Sequence, residues 1–305
     1  MKTSFLGLGN MGEPMAANLL KTVPDLVVWN RSRPALDRLR GHGAIVAPTA
    51  SNALHGADIV LLMLANEEAI DQVLERSSDA FAANVGGRVI VHMGTTSPRF
   101  SRELGIAIQR SGGRYVEAPV SGSRIPAERG VLVGMVAGQD ADVAAVRDLI
   151  RPMCGTTFAC GAVPGALTMK LAVNLFLITM VTGLMEAAQF ASSAGLDLAL
   201  FRAIIDAGPM SSDVSRVKLD KLVRGDFVPQ AGLADVLMNS RLVAAAARAA
   251  DIATPLLDRA DRLYDLADGM GFGRLDMIGV IHAIEAETQA SGATAAGGRK
   301  REKVT

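Results

Sequence analysis

The chain has 305 residues, room for two ordinary domains; half are hydrophobic and only 4% aromatic, so packing rests on aliphatic helices and parallel strands. Lys plus Arg equals Asp plus Glu at 31 each, which leaves no global field to draw in nucleic acid or an anionic membrane, and recognition must be local. In chain order, residues 3–7 form a short strand that enters the glycine loop Gly7-Leu8-Gly9-Asn10-Met11-Gly12, and a helix follows over 13–21. The next strand is expected over 26–30. Continuous apolar runs over 58–64 and 88–93 suit parallel strands covered on both faces, and 114–120 and 131–137 add two more, separated by a Ser-Gly-rich loop. This alternation predicts a Rossmann-type doubly wound α/β domain over residues 1–163.

From about Pro164 the periodicity turns helical. One long interdomain helix over 171–195, with further helices over 242–253 and 258–267, predicts an all-α domain over 164–290. The strongest apolar stretch, 171–185, is shorter than the roughly 20 residues that span a bilayer and contains Asn174, so a buried helix and no membrane contact are expected. Residues 291–305 are small and polar, then basic, and read as a disordered, solvated tail. Met1-Lys2-Thr3 runs into the first strand without the charged and apolar regions of an export signal. Cys154 and Cys160 have five residues between them, a spacing that fits neither a redox pair nor a zinc knuckle, and they read as reduced thiols of a cytoplasmic protein. His42, His55, His92 and His282 show no metal-ligand spacing, and no metal is expected.

The glycine loop sits between a strand and a helix, the context a dinucleotide site requires. Gly7 permits the tight turn, Gly9 lets a pyrophosphate approach the backbone, and Gly12 lets the helix pack closely on the sheet. At the end of the next strand an NAD site places a carboxylate for the ribose; this chain has Asn30-Arg31-Ser32-Arg33 and no acid before Asp37. Arg31 is expected to stack on adenine and, with Ser32, to hold a 2′-phosphate, which selects NADP(H) over NAD(H).

These motifs resemble the β-hydroxyacid dehydrogenases, the family of 6-phosphogluconate and 3-hydroxyisobutyrate dehydrogenases. The likeness is carried by residues 7–21, by 117–123 with 126–130, by 161–174 and by 271–276, nearly the length of the chain. Trp29-Asn30-Arg31-Ser32 and the Pro-Val-Ser-Gly-Ser run ending at Ser123 look most like the glyoxylate/succinic semialdehyde reductase branch, which uses NADPH. The resemblance implies that Lys170 is the catalytic lysine, protonating a carbonyl oxygen as hydride arrives, with Asn174 one helical turn on holding substrate or lysine. It implies that Ser121 and Gly122 bind a substrate carboxylate, that Thr95 lies near the nicotinamide, and that Met63, Leu64 and Ala65 line the middle of the cofactor. One departure stands out: where the family has a Lys-Asp pair this chain has Met238-Asn239, so Asn239 keeps a hydrogen-bonding group while Met238 offers apolar space. The expected activity is NADPH-dependent reduction of a small, carboxylate-bearing aldehyde or keto acid, or the reverse oxidation of a β-hydroxyacid, by a homodimer or homotetramer. Two rivals are an imine reductase, against which Lys170 argues, and a non-catalytic NADP-binding interaction module, which Lys170 and Asn174 oppose.

Overall fold

The computed structural model describes residues 1–290; the tail expected over 291–305 lies outside them. The chain forms two compact units, Met1–Val173 and the residues from Asn174 on, with the division inside the long helix Gly165–Ser193.

In the first unit, strands β1 (Thr3–Leu6), β2 (Val27–Trp29), β3 (Ile45–Val46), β4 (Ile59–Leu62), β5 (Val89–His92) and β6 (Arg114–Glu117) build one parallel sheet in the order β3-β2-β1-β4-β5-β6. That is the order of a doubly wound dinucleotide fold, and it reverses direction between β1 and β4. β1, β4 and β5 are buried along their whole length because helices cover both faces. The pleat divides their side chains: Phe5, Leu61 and Val91 enter one core, and Leu6, Leu62 and Ile90 enter the other.

The strands expected over 114–120 and 131–137 do not share a sheet. The ladder of β6 ends at Glu117, two residues before Pro119, which has no N–H to continue it. Val120–Ser121 (β7) pairs antiparallel with Leu132–Val136 (β8), and β8 pairs parallel with Cys154–Ala159 (β9). An isolated bridge between Glu117 and Ala137 joins the two sheets.

The first turns of the helix Gly165–Ser193 pack on this small sheet, with Ala166 against Met135 and Ala137. The helix has 29 residues and is long and apolar enough to cross a bilayer by length and composition, more than the stretch 171–185 suggested. Nor is it the buried helix expected: Phe176 and Phe190 are 67% and 74% exposed, whereas Lys170 and Asn174 are buried.

The second unit continues with helices Leu198–Ala207, Asp213–Arg224, Leu233–Ala249 and Pro255–Ala267, a π-turn at Asp268–Phe272, and a helical segment over 281–290. The third helix begins nine residues before the predicted 242 because Leu233, Val236, Leu237 and Ser240 bury one face at helical spacing. Ser212 and Ser215 cap the second reciprocally. Lys218 and Asp276 form a buried ion pair at 2.7 Å, and Asp276 also accepts the Gln230 N–H.

Candidate active site

The turn after β1 is shaped by neighbours on both sides. Gly7 has φ +98°, and a Cβ there would lie 2.2 Å from the Met63 carbonyl oxygen, so the glycine loop abuts the residues that follow β4. Leu8 donates its N–H to Asn30 Oδ1 at 3.0 Å, and Asn30 Nδ2 donates to the carbonyl and hydroxyl oxygens of Ser32. Asn30, read from sequence as a cofactor contact, therefore ties the glycine loop to the end of β2. The N–H groups of Gly9, Asn10 and Met11 donate to nothing among the described residues, and the helix Gly12–Leu20 has no side-chain cap. Nothing lies within 4 Å of a Cβ placed on Gly9. Unclaimed amides at a helix amino terminus, with open space before them, fit an anionic diphosphate.

Beyond β2 a pocket of about 520 Å³ is lined by Arg31, Arg33, Arg40, Asp37, Pro48 and Thr49. Asp37 is paired with Arg40 at 3.2 Å, so the pocket keeps a positive balance suited to a phosphate. Met63, Leu64 and Ala65 follow β4, and Thr95 follows β5, where Gly94 leaves room for the Leu64 carbonyl: a Cβ on Gly94 would stand 2.7 Å from it. The residues read as cofactor contacts thus gather at the carboxyl ends of β1, β2, β4 and β5, the ligand edge of an open α/β sheet.

Ser121 ends β7, and Gly122 follows with φ +129°. A Cβ on Gly122 would meet Leu132 Cδ2 at 2.6 Å and Pro126 Cβ at 3.1 Å, so packing within the protein also requires glycine there. Arg124, two residues on, donates to Asn10 Oδ1 at 3.1 Å and brings the serine loop beside the glycine loop.

Lys170 is 9% exposed, and among the described residues no acceptor or counter-ion holds its Nζ. Burial lowers its pKa to about 8. One turn on, Asn174 is also buried; its Nδ2 donates at 3.1 Å to Asn239 Oδ1, and Asn239 Nδ2 donates to the Asp235 carbonyl. Asn174 and Asn239, 65 positions apart in the chain, are thus brought together within the second unit. Met238 points elsewhere, into a groove of about 370 Å³ with Leu237, Arg241 and Asp268.

Sequence reasoning missed one polar cluster. His92, Ser101, Tyr115 and Glu117 are all buried and hydrogen-bonded in series, and Glu117 accepts the N–H groups of Ala166 and Leu167. The alternation of Tyr115 and Glu117 along one strand was the available signal, but strand polarity alone does not reveal a partner on another element. Among the described residues no three His, Cys, Asp or Glu side chains gather as metal ligands.

A reversing parallel sheet with free amides beyond its first strand is the frame of a dinucleotide-dependent oxidoreductase. Comparison with known proteins gives the same class. The family described as the NAD binding domain of 6-phosphogluconate dehydrogenase matches residues 2–161, and that described as NAD-binding of NADP-dependent 3-hydroxyisobutyrate dehydrogenase matches 165–284. The chain is 30% identical over 285 residues to glyoxylate/succinic semialdehyde reductase 1 of Arabidopsis thaliana, covering 93% of this chain and 99% of the relative. It is 29% identical to 2-hydroxy-3-oxopropionate reductase of Escherichia coli K12, covering 93% and 97%. A solved structure of Mycobacterium tuberculosis 3-hydroxyisobutyrate dehydrogenase with L-serine superposes with a TM-score of 0.82 at 25% identity, covering 93% and 98%. The chain belongs to the β-hydroxyacid dehydrogenase family. It is an NAD(P)-dependent oxidoreductase acting on CH–OH groups.

Proposed function

We propose that the protein is an NADPH-dependent reductase of a small aldehyde or keto acid of the glyoxylate and succinic semialdehyde type, working in the cytoplasm as a homo-oligomer. The observation that carries this reading is Lys170, an amine buried on its helix with no counter-ion among the described residues and with a pKa of about 8. Such an amine is still protonated at neutral pH and gives up its proton readily, as a general acid must. The reduced nicotinamide, when bound, supplies hydride to the carbonyl carbon. Lys170 delivers the proton to the carbonyl oxygen and offsets the negative charge developing there. Asn174, steadied by Asn239, orients the carbonyl oxygen that becomes the hydroxyl, while Ser121 and the Gly122 backbone take the substrate carboxylate. Gly9, Asn10 and Met11 hold the diphosphate; Arg31 and Ser32 take the 2′-phosphate, beside the arginine-lined pocket that favours NADPH.

Two similarities support the substrate class: relatives named for glyoxylate, succinic semialdehyde and 2-hydroxy-3-oxopropionate each span nearly the whole chain. A panel of glyoxylate, succinic semialdehyde and a cyclic imine, offered with NADPH and with NADH, tests the reading. Turnover of a carboxylate-bearing aldehyde with NADPH, lost in Lys170→Ala while NADPH still binds, is expected. Imine turnover that survives Lys170→Ala would replace this reading with imine reduction.

A further inference from the structure

We propose that Glu117 is a positioning residue for Lys170, fixing the first turn of the lysine's helix through a buried hydrogen-bond chain that begins at His92. The proposal rests on the reading of Lys170 as proton donor. A helix begins with amides that have no partner inside it. In the helix Gly165–Ser193 two of these, Ala166 and Leu167, donate to one oxygen of Glu117, Oε2, at 3.0 and 3.1 Å. Lys170 lies four and three residues beyond them, directly above on the same side of the helix. Whatever holds that turn sets where the amine stands.

Glu117 is itself held. It is 0% exposed, and its other oxygen accepts the Ser101 hydroxyl. The Tyr115 hydroxyl lies 2.8 Å from Ser101 Oγ and 2.8 Å from His92 Nδ1. With the Ser101 proton committed to the carboxylate, one direction satisfies the series: His92 Nδ1–H donates to Tyr115, and Tyr115 donates to Ser101. His92 suits the neutral form this requires, because burial lowers its pKa to about 4. Its Nε2 then carries a free lone pair, in accord with its lack of a partner. Burial pushes the Glu117 carboxyl upward, while Ser101 and the two amides pull it back. Four polar side chains in an otherwise apolar core are costly unless hydrogen-bonded, and a hydrogen-bonded series holds its members in one arrangement. His92 is the last residue of β5, immediately before the loop carrying Thr95, so the chain links the cofactor edge of the sheet to the helix of Lys170.

The test measures kcat, KM, NADPH binding and melting of the full-length enzyme with NADPH and the best aldehyde of the panel. Glu117→Ala is expected to lower kcat about 10- to 100-fold, as loss of alignment does, with NADPH affinity within about twofold of wild type. Glu117→Gln is expected to recover kcat to within about threefold, because its carbonyl still accepts both amides and its NH2 donates to Ser101. In a Lys170→Ala background, Glu117→Ala is expected to cause no further loss, since the two act as one unit. An equal fall with and without Lys170, or an unchanged kcat in folded Glu117→Ala, overturns the proposal. If Glu117→Ala does not fold, Ser101→Ala carries the same test, with a loss of about threefold or more that vanishes without Lys170. Full turnover in Lys170→Ala alone overturns the lysine reading and this proposal together, and so separates that failure from failure of Glu117 alone.

Discussion

Lys170 carries an ammonium into a buried setting where no anion stands among the described residues, and this costs stability. Its folded pKa of about 8 lies below the ordinary 10.5, so between these values the unfolded chain binds more protons and stability rises with pH. Below pH 8 the full penalty applies, up to about 3 kcal/mol for a change of this size. Lys170→Met is therefore expected to melt several degrees higher than wild type at pH 7, with the advantage shrinking toward pH 10.5, while activity is lost. A lower melting temperature for the methionine variant at pH 7 would show that the amine is not penalised. Arg31 acts at the other end of the site. Arg31→Ala is expected to weaken NADPH by about 10- to 100-fold, the loss of a charge-assisted hydrogen bond, and NADH by no more than about fivefold, the loss of the adenine stack alone. Equal losses for the two cofactors would remove Arg31 from phosphate selection. Lys170 and Arg31 could be singled out as candidates because each stands at a fixed offset from a recognisable motif. His92, Ser101, Tyr115 and Glu117 were not, since their partnership depends on which elements pack together and not on spacing along the chain.

At the level of elements, the glycine loop separates folding from binding. A methyl on Gly7 would run into the Met63 carbonyl at a backbone angle side chains avoid, whereas a methyl on Gly9 meets open space. Gly7→Ala should lower the melting temperature by several degrees. Gly9→Ala should fold as wild type yet bind NADPH at least about 10-fold more weakly, because its methyl occupies the approach of the diphosphate. Calorimetry and cofactor titration on both variants check the contrast, and a Gly9→Ala that binds normally would place the diphosphate elsewhere. The apolar strands β1, β4 and β5 were readable because burial on both faces leaves an uninterrupted hydrophobic run. β3 has two residues, and β9 is a largely exposed run containing Gly155, Thr156 and Thr157, so neither had a periodicity to read. The separate small sheet escaped for a related reason: Pro119 ends one ladder and Val120 begins another without any gap in apolar character. The helices Leu198–Ala207 and Asp213–Arg224 were subsumed in a general helical pattern, although Asp197 and Ser212 cap them.

For the whole molecule, the balance of 31 positive and 31 negative side chains leaves association to apolar surface. In the second unit Phe176, Phe190, Leu200 and Ile204 are each 59% exposed or more, large side chains on two consecutive helices that a solitary chain would leave to water. The proposed homo-oligomer predicts a solution mass by light scattering that is a multiple of the single chain, reduced by Phe190→Asp. A single-chain mass for the wild type at micromolar concentration would contradict it. The family, the sheet and the long helix were all accessible from sequence, because motifs at both ends of the chain agree; the extent of apolar surface on that helix was not, since hydropathy does not distinguish a buried face from an exposed one.

The proposed reaction depends on the protonation of Lys170, and the pH dependence of kcat/KM for NADPH-driven aldehyde reduction reads it most directly. Wild type is expected to hold a plateau at neutral pH and to lose rate as pH climbs through about 8, the value burial gives the amine. Lys170→Ala is expected to be about 10²- to 10⁴-fold slower, with that inflection gone. A wild-type profile level across pH 8, or the same inflection persisting in Lys170→Ala, would contradict the assignment.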